Sequence, residues 1–151
     1  MKIRTGFVSN SSSSSFIVID NKTKWYPPNY DGGVIVVDRG FGHCEFGWEV
    51  DEFYDFGSKL IFSYLQAQYV HNEDWLNMLE RVVKENTGAA AIEWNISDDW
   101  DASKNGKTWA YIDHQSASSE DSNTEMFDDE ESLKAFLFNN NSYIETGNDN
   151  D

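Results

Sequence analysis

The sequence predicts one α+β domain in which a mostly antiparallel β-sheet carries its helices on one face. Short β-branched runs cluster early, two segments with helical periodicity follow, and the inferred order is β-β-β-α-α-β-β-α-β. A chain of 151 residues can bury roughly 70% of its extended surface. Aromatic residues make up 15% of the chain, enough to build a core without a metal ion or a disulfide. We therefore expect a single acidic domain over residues 1–151.

The first third of the chain predicts three strands. Residues 16–20 (FIVID) and 34–38 (VIVVD) are short and β-branched, and residues 41–48 alternate between apolar and polar positions. The unbroken serines at 11–15 predict a flexible turn between strands, with a modification target as the alternative. Residues 21–33 contain both prolines and a glycine pair, so we expect an exposed loop there.

Two helices are predicted in the middle of the chain. Apolar residues recur at spacings of three and four from Val50 to Leu65, and acidic residues crowd the first turns, where the helix dipole favours them. Asn72 is placed to cap a second helix, and Gly88 lies just beyond its end. The first helix is therefore expected to begin near Val50 and the second just after Asn72.

Two strands are predicted next, at residues 89–96 and 108–114. Between them, Asn105 and Gly106 form the dipeptide best suited to a tight hairpin turn that needs positive φ. Residues 115–125 contain few apolar side chains and predict a mobile loop.

The end of the chain predicts a short helix and a last strand. Residues 128–138 begin with four acidic side chains at the positive end of the helix dipole. Residues 142–146 have the composition of a strand. Residues 146–151 are expected to fray as a tail.

Acidic charge is the strongest global feature of the sequence. There are 27 acidic residues against 11 Lys plus Arg, a net charge of −16, and residues 98–151 alone hold 14 acids and 3 bases. Binding to DNA or RNA requires cations that displace counterions from phosphate. The charge therefore argues against direct nucleic-acid binding and against attraction to anionic membranes, and it favours a partner with a basic surface.

The cysteine content and the lack of a long apolar run predict a protein of the host-cell cytoplasm. The single cysteine, Cys44, cannot form an internal disulfide, which favours a reducing compartment. No apolar run has the length of a membrane span, and serines occupy the place of a secretory apolar region.

The possible metal and thiol chemistry is sparse. One cysteine and three histidines, none at a zinc-finger spacing, fall short of a zinc pattern. His43 and Cys44 are neighbours on a predicted strand and point to opposite faces, so His43 cannot serve Cys44 as a base. An acidic loop that starts at Asp99 has Lys104 where calcium loops need glycine. We expect no metal, no cofactor, and a buried structural cysteine beside a surface histidine.

The first eighteen residues, MKIRTGFVSNSSSSSFIV, resemble an N-terminal stretch of small, mostly uncharacterised proteins from tailed bacteriophages and some bacteria. The resemblance implies an accessory gene of a phage or mobile element. It implies no catalytic residues for this chain.

The leading functional hypothesis is a non-enzymatic protein that binds and inhibits or redirects a host protein. The target class is a nuclease, defence complex, transcription factor or protease, and the acidic surface would act as a nucleic-acid mimic. Trp100 is a candidate aromatic anchor among the acids, since Trp is enriched at binding hot spots. The predicted binding residues are Asp98, Asp99, Trp100, Asp101, Glu120, Asp121, Glu125, Asp128, Asp129, Glu130 and Glu131.

Two alternatives stay open at this stage. A small hydrolase or transferase would use Asp113 and His114, although no nucleophile elbow accompanies them. A self-assembling or virion-associated structural protein is the other alternative, because the aromatic content allows a large interface, and a homodimer is compatible with it.

Overall fold

The computed structural model describes residues 13–47, 50–112 and 122–148. The helices within these ranges are α1 (Phe56–Tyr69), α2 (Glu73–Thr87) and α3 (Glu130–Phe138), with 3₁₀ helices at Ala102–Asn105 and Ser122–Phe127. The strands are β1 (Ser13–Val18), β2 (Val34–Val37), β3 (Glu45–Phe46), β4 (Asp51–Phe53), β5 (Ala91–Trp94), β6 (Ile96–Ser97), β7 (Thr108–Trp109), β8 (Tyr111–Ile112) and β9 (Tyr143–Asn148). The predicted α+β class is confirmed.

The strands pair in small sheets of both kinds. In the largest, β9 is central and pairs antiparallel with β1 on one side and β4 on the other. Three two-stranded parallel sheets accompany it in the described part of the chain, namely β2–β5, β3–β8 and β6–β7. The antiparallel arrangement thus holds for the three-stranded sheet, while the pairing as a whole is mixed.

The end of the serine run lies in a strand. Ser15 is opposite Thr146 in the β1–β9 ladder, and it is as buried as Ile17 two residues later. Because alternate residues of a strand share a face, the buried side of β1 continues back into the serines. The predicted turn is therefore wrong for residues 13–15, and residues 11–12 lie outside the described ranges.

Helix α1 begins later than the apolar spacing predicts. Residues 51–53 form β4 and pair with β9, so the predicted helical start near Val50 is wrong. Asp55 caps the helix instead, because its carboxylate accepts a hydrogen bond from the Ser58 backbone N–H at 2.9 Å. A strand partner far along the chain, which spacing alone does not reveal, decides the conformation of residues 51–53.

The ends of α2 and the start of α3 confirm the sequence signals. The Asn72 side chain accepts a hydrogen bond from the Trp75 N–H at 3.2 Å, and Gly88 takes the left-handed conformation, φ 75°, at the other end. At α3, the Asp129 carboxylate accepts from the Ser132 N–H at 2.7 Å. Local capping chemistry therefore sets these boundaries.

The predicted hairpin at Asn105 and Gly106 is wrong. Gly106 does take positive φ, 74°, but it ends a 3₁₀ helix, and the strands on either side of that helix run parallel. Ala102 is buried at the start of the helix, and its carbonyl accepts from the Lys107 N–H at 3.1 Å. The buried Ala102 side chain and this hydrogen bond hold residues 102–107 as a compact turn.

The predicted mobile loop at residues 115–125 and the predicted frayed tail at residues 146–151 both lie partly in regular secondary structure. A 3₁₀ helix takes in residues 122–125 and continues to the fully buried Met126, so the loop prediction is wrong there. Strand β9 continues through residues 146–148, so the predicted fraying is wrong for them. The remaining residues of both segments lie outside the described ranges.

The core lies between the helices and the three-stranded sheet. Helix α1 contacts both α2 and α3, and its Phe62 is fully buried beside Phe46 of β3. Leu79, Phe136 and Ile144 bring α2, α3 and β9 to the same cluster. No helix in residues 13–47, 50–112 and 122–148 has both the length and the apolar character needed to cross a membrane.

Candidate functional site

A groove with two adjoining compartments lies where α1, α2 and β5 meet the segment that follows β6. The first compartment, about 380 Å³, is lined chiefly by Tyr64, Gln68, Glu73, Leu76, Glu80 and Trp94. The second, about 260 Å³, is lined chiefly by Tyr64, Gln68, Ile96, Asp98, Asp99 and Lys107. Tyr64 and Gln68 line both compartments, so the two form one continuous depression, which we call the acidic groove.

A fixed aromatic pair forms the wall of the acidic groove. The rings of Tyr64 and Trp94 stack with centroids 4.0 Å apart and planes 12° apart. The Trp94 Nε1–H donates to Glu80 Oε2 at 2.7 Å, and the Gln68 amide donates to the Tyr64 hydroxyl oxygen at 3.0 Å. Because each ring is also held by a hydrogen bond, the wall is preorganised.

The charge of the acidic groove is strongly negative. Glu73, Asp98 and Asp99 are exposed at its surface, whereas Glu80 is half-buried against the indole. One cation, Lys107, stands among the lining residues. Four carboxylates against one ammonium in a concave surface with an aromatic wall produce a negative potential that attracts cations.

The pKa of the Tyr64 hydroxyl responds to the negative potential of the acidic groove. Burial raises the pKa of Tyr64, the Gln68 hydrogen bond lowers it, and the charges of Glu80 and Asp98 raise it further. Glu80 belongs to α2 and Asp98 to the segment after β6. Carboxylates from both compartments therefore act on Tyr64, which lines both of them.

Replacing Glu80 with glutamine should lower the pKa of Tyr64 towards its ordinary value. The amide removes the charge that disfavours tyrosinate and keeps an oxygen that can accept from Trp94. Ultraviolet absorbance of tyrosinate during a pH titration measures this, and Tyr64→Phe identifies the contribution of Tyr64. Glu85→Gln removes an acid elsewhere on α2 as a control. If Glu80→Gln titrates like wild type, Glu80 does not act on Tyr64.

Of the first four predicted binding residues, Asp98 and Asp99 line the second compartment of the acidic groove, and Trp100 and Asp101 are not among its lining residues. Trp100, next in sequence, is 74% exposed, and the Lys104 ammonium lies 5.4 Å from its ring centroid. Asp101 is half-buried and precedes the 3₁₀ helix.

Three predicted binding residues at the start of α3 serve the fold. Asp129 caps the helix, and this hydrogen bond with the Ser132 backbone lowers the pKa of the Asp129 carboxyl. Glu130 accepts from the Arg81 guanidinium at 2.8 Å, which lowers the pKa of Glu130. Glu131 pairs with Lys134 at 3.2 Å.

Helix α2 separates the predicted acids into two groups. Consecutive residues of a helix point about 100° apart, and α2 directs Glu80 to the acidic groove and Arg81 to Glu130 of α3. Glu125 and Asp128 are exposed beside α3, and Glu120 and Asp121 lie outside the described ranges. Within the described ranges, the predicted acidic residues therefore do not form one continuous belt.

A second cleft surrounds His43 and Cys44. It measures about 330 Å³, and Arg39, Glu45 and Trp109 also line it. His43 and Cys44 are both half-buried, so neither the buried cysteine nor the exposed histidine is as predicted. The His43 ring stacks on Phe53 at 4.3 Å and hydrogen-bonds the Glu45 carbonyl. Burial raises the pKa of the Cys44 thiol above its ordinary value. A protonated thiol is a poor nucleophile, so this cleft lacks an activated one.

The structure adds no site for the predicted enzymatic residues or for a metal ion within the described ranges. Asp113 and His114, the residues of the enzymatic alternative, lie outside the described ranges. Among the residues that are described, no three His, Cys, Asp or Glu side chains come together in a group that could hold a metal ion.

The aromatic wall and Glu80 are not among the residues that the sequence predicts for the site. The apolar spacing places Tyr64 in the stripe of a helix, and Trp94 belongs to a predicted strand thirty residues later, so nothing local indicates that their rings stack. One local signal exists. Glu80 is four residues after Leu76 and three before Val83, so a carboxylate interrupts the apolar side of an otherwise regular amphipathic helix. Such an interruption marks a place where the helix face is not simply core.

Comparisons with protein-family models, with curated proteins and with solved structures return no match to this chain.

Proposed function

We propose that this chain is a non-enzymatic accessory protein of a phage or mobile element that binds a host protein through the acidic groove. The partner presents a basic surface, and its class is that of nucleases, defence complexes, transcription factors or proteases. The phage setting rests on the N-terminal resemblance. The binding mode rests on one observation, the continuous concave surface in which four carboxylates and one lysine adjoin a fixed aromatic wall.

The groove supports this proposal better than the acids of α3 do. Asp129, Glu130 and Glu131 are engaged in a helix cap and two ion pairs, so part of their charge is already compensated. Asp98 and Asp99 line a depression large enough to enclose a side chain. A concave acidic surface steers a basic partner and discriminates against polyanions. Trp100, next in sequence to Asp99, offers an exposed ring of the kind enriched at binding hot spots.

Retention of bacterial proteins on the immobilised chain should depend on the groove. We expect wild type to retain one or a few proteins, and the double variant Asp98→Asn/Asp99→Asn to lose them. Retention should weaken as salt is raised, since screening acts on exposed charges. Mass spectrometry of the retained fraction measures this.

A matched variant separates the groove from total charge. Glu130→Gln/Glu131→Gln also removes two negative charges, and exposed ion pairs of this kind contribute little to stability. This variant should retain the same proteins as wild type. Equal losses in both double variants would mean that net charge, not the groove, governs retention. Full retention by Asp98→Asn/Asp99→Asn, or none by wild type, would overturn the proposal.

A further inference from the structure

We infer that the acidic groove recognises the guanidinium group of arginine side chains on its partner. This inference rests on the proposed function and names the chemical group that the groove takes. Three features carry it: the size of the depression, the stacked rings in its wall, and the carboxylates around those rings.

The size of the groove fits one long side chain in each compartment. The compartments measure about 380 Å³ and 260 Å³, and Tyr64 and Gln68 line both of them. The groove is therefore suited to an extended basic segment that places one basic side chain in each compartment.

The aromatic wall favours a planar cation. Because Tyr64 and Trp94 stack on each other, a ligand meets the outer face of the pair and does not enter between the rings. A guanidinium is flat, weakly hydrated and always charged, so it stacks on an aromatic face at a low desolvation cost. A lysine ammonium is compact and strongly hydrated, and it gains less from the same wall.

The carboxylates complete the recognition. Glu80 already accepts from the Trp94 indole through Oε2, which fixes the orientation of the carboxylate beside the ring. A guanidinium stacked on the aromatic wall can donate to Glu80 and Glu73 in the first compartment, and a second one to Asp98 and Asp99 in the other. Arginine forms paired hydrogen bonds with carboxylates, which adds geometric specificity to charge attraction. Exposed Lys107 opposes a cation only in the second compartment.

Short peptides test this inference directly. The probe is an acetylated and amidated pentapeptide with two arginines separated by one glycine. Its partners carry lysine, or citrulline, which has the shape of arginine without the charge. Calorimetric titration should give at least tenfold tighter binding for the arginine peptide than for the citrulline peptide, and severalfold tighter binding than for the lysine peptide. Equal affinity for arginine and citrulline would overturn the inference.

Two variants of the same helix locate the site. Glu80→Gln should weaken binding of the arginine peptide about tenfold, corresponding to about 1.4 kcal/mol. Glu85→Gln removes the same charge from an exposed position that pairs with Arg81, and it should leave affinity unchanged within about twofold. Equal weakening by both variants would show attraction to net charge and would refute a site at Glu80.

The peptide and protein experiments fail independently. If the groove retains a bacterial protein but arginine and citrulline peptides bind alike, the arginine inference is wrong and the proposed function stands. If the arginine peptide binds selectively but no bacterial protein depends on Asp98 and Asp99, the proposed function is wrong and the arginine site stands.

Discussion

Replacing Gly57 with alanine should lower the free energy of unfolding by about 3 kcal/mol, or prevent folding altogether. A Cβ at Gly57 would overlap the carbonyl oxygen of Phe41 and lie 2.9 Å from its carbonyl carbon. A Cβ at Gly42 would in turn lie 2.5 Å from the Ser58 backbone nitrogen. The loop before β3 and the first turn of α1 are thus in backbone contact, and neither side has a flexible atom to move.

This prediction opposes helix propensity. Alanine in a helix is favoured over glycine by about 0.5–1 kcal/mol, which would make the Gly57→Ala variant more stable if only α1 mattered. The overlap is the larger effect because it involves backbone atoms on both sides. Denaturant unfolding followed by tryptophan fluorescence measures the difference.

Gly40→Ala provides the matched control in the same loop. Beyond the adjacent residues, the atom nearest to a Cβ at Gly40 is Asp38 Oδ1, at an ordinary 3.6 Å, so we expect a change within about 0.5 kcal/mol. A Gly57→Ala protein as stable as wild type would show that the loop does not pack against α1 this closely. The packing matters for the acidic groove as well, because α1 carries Tyr64 about two turns and Gln68 about three turns further on.

Features that depend on local chemistry could be predicted from the sequence. Asn72, Gly88 and the acidic start of α3 act within one turn of their own helix, so their residue types suffice to place the helix ends. The positive φ of Gly106 is also local and was predicted. These signals need no knowledge of the rest of the chain.

Features that depend on distant partners could not be predicted. Residues 51–53 have apolar spacing compatible with a helix, and only pairing with β9 some ninety residues later makes them a strand. The prediction of a hairpin at Gly106 is wrong for the same reason, because the direction in which β6 and β7 pair is a property of the tertiary fold. A dipeptide signal for a turn does not specify the strands that flank it.

The candidate site likewise has a part that the sequence predicts and a part that depends on the tertiary fold. Charge composition alone pointed to Asp98 and Asp99, which lie in the acidic groove. The rings and Glu80 that give the groove its wall come from three elements, and their contacts arise only when α1, α2 and β5 pack together. Composition can therefore predict the sign of a binding surface, whereas its shape comes from packing.

The buried ammonium of Lys59 should make the stability of the protein rise with pH above about pH 8. Lys59 is fully buried in α1, and its ammonium donates to the carbonyl oxygens of Asn139 and Ser142 at 2.8 and 3.0 Å. Burial lowers the pKa of Lys59 from 10.5 to about 8, and the charge of Asp55 opposes this only in part. The folded protein therefore releases this proton more readily than the unfolded chain.

The sign of the effect follows from that difference. Between pH 8 and 10.5 the unfolded chain holds the proton and the folded protein does not, so raising pH stabilises the folded state. Below this window both states are protonated, and the cost of burying the charge is constant. One pKa unit corresponds to about 1.4 kcal/mol, so we expect wild type to gain about 2 kcal/mol between about pH 7 and about pH 10.

A comparison with Lys59→Met isolates this gain from other titrations. Burial raises the pKa of Tyr30, Tyr54 and Tyr64, which acts in the opposite direction at high pH, but these residues are present in both proteins. The difference in unfolding free energy between wild type and Lys59→Met, measured in urea across this range, should therefore shift by about 2 kcal/mol towards wild type. Lys84→Met, which removes an exposed amine of α2, is the control for the loss of a lysine side chain. A difference for Lys59→Met that does not change with pH would show that Lys59 is hydrated in the folded protein, and that it does not hold the turn between α3 and β9 from within the core.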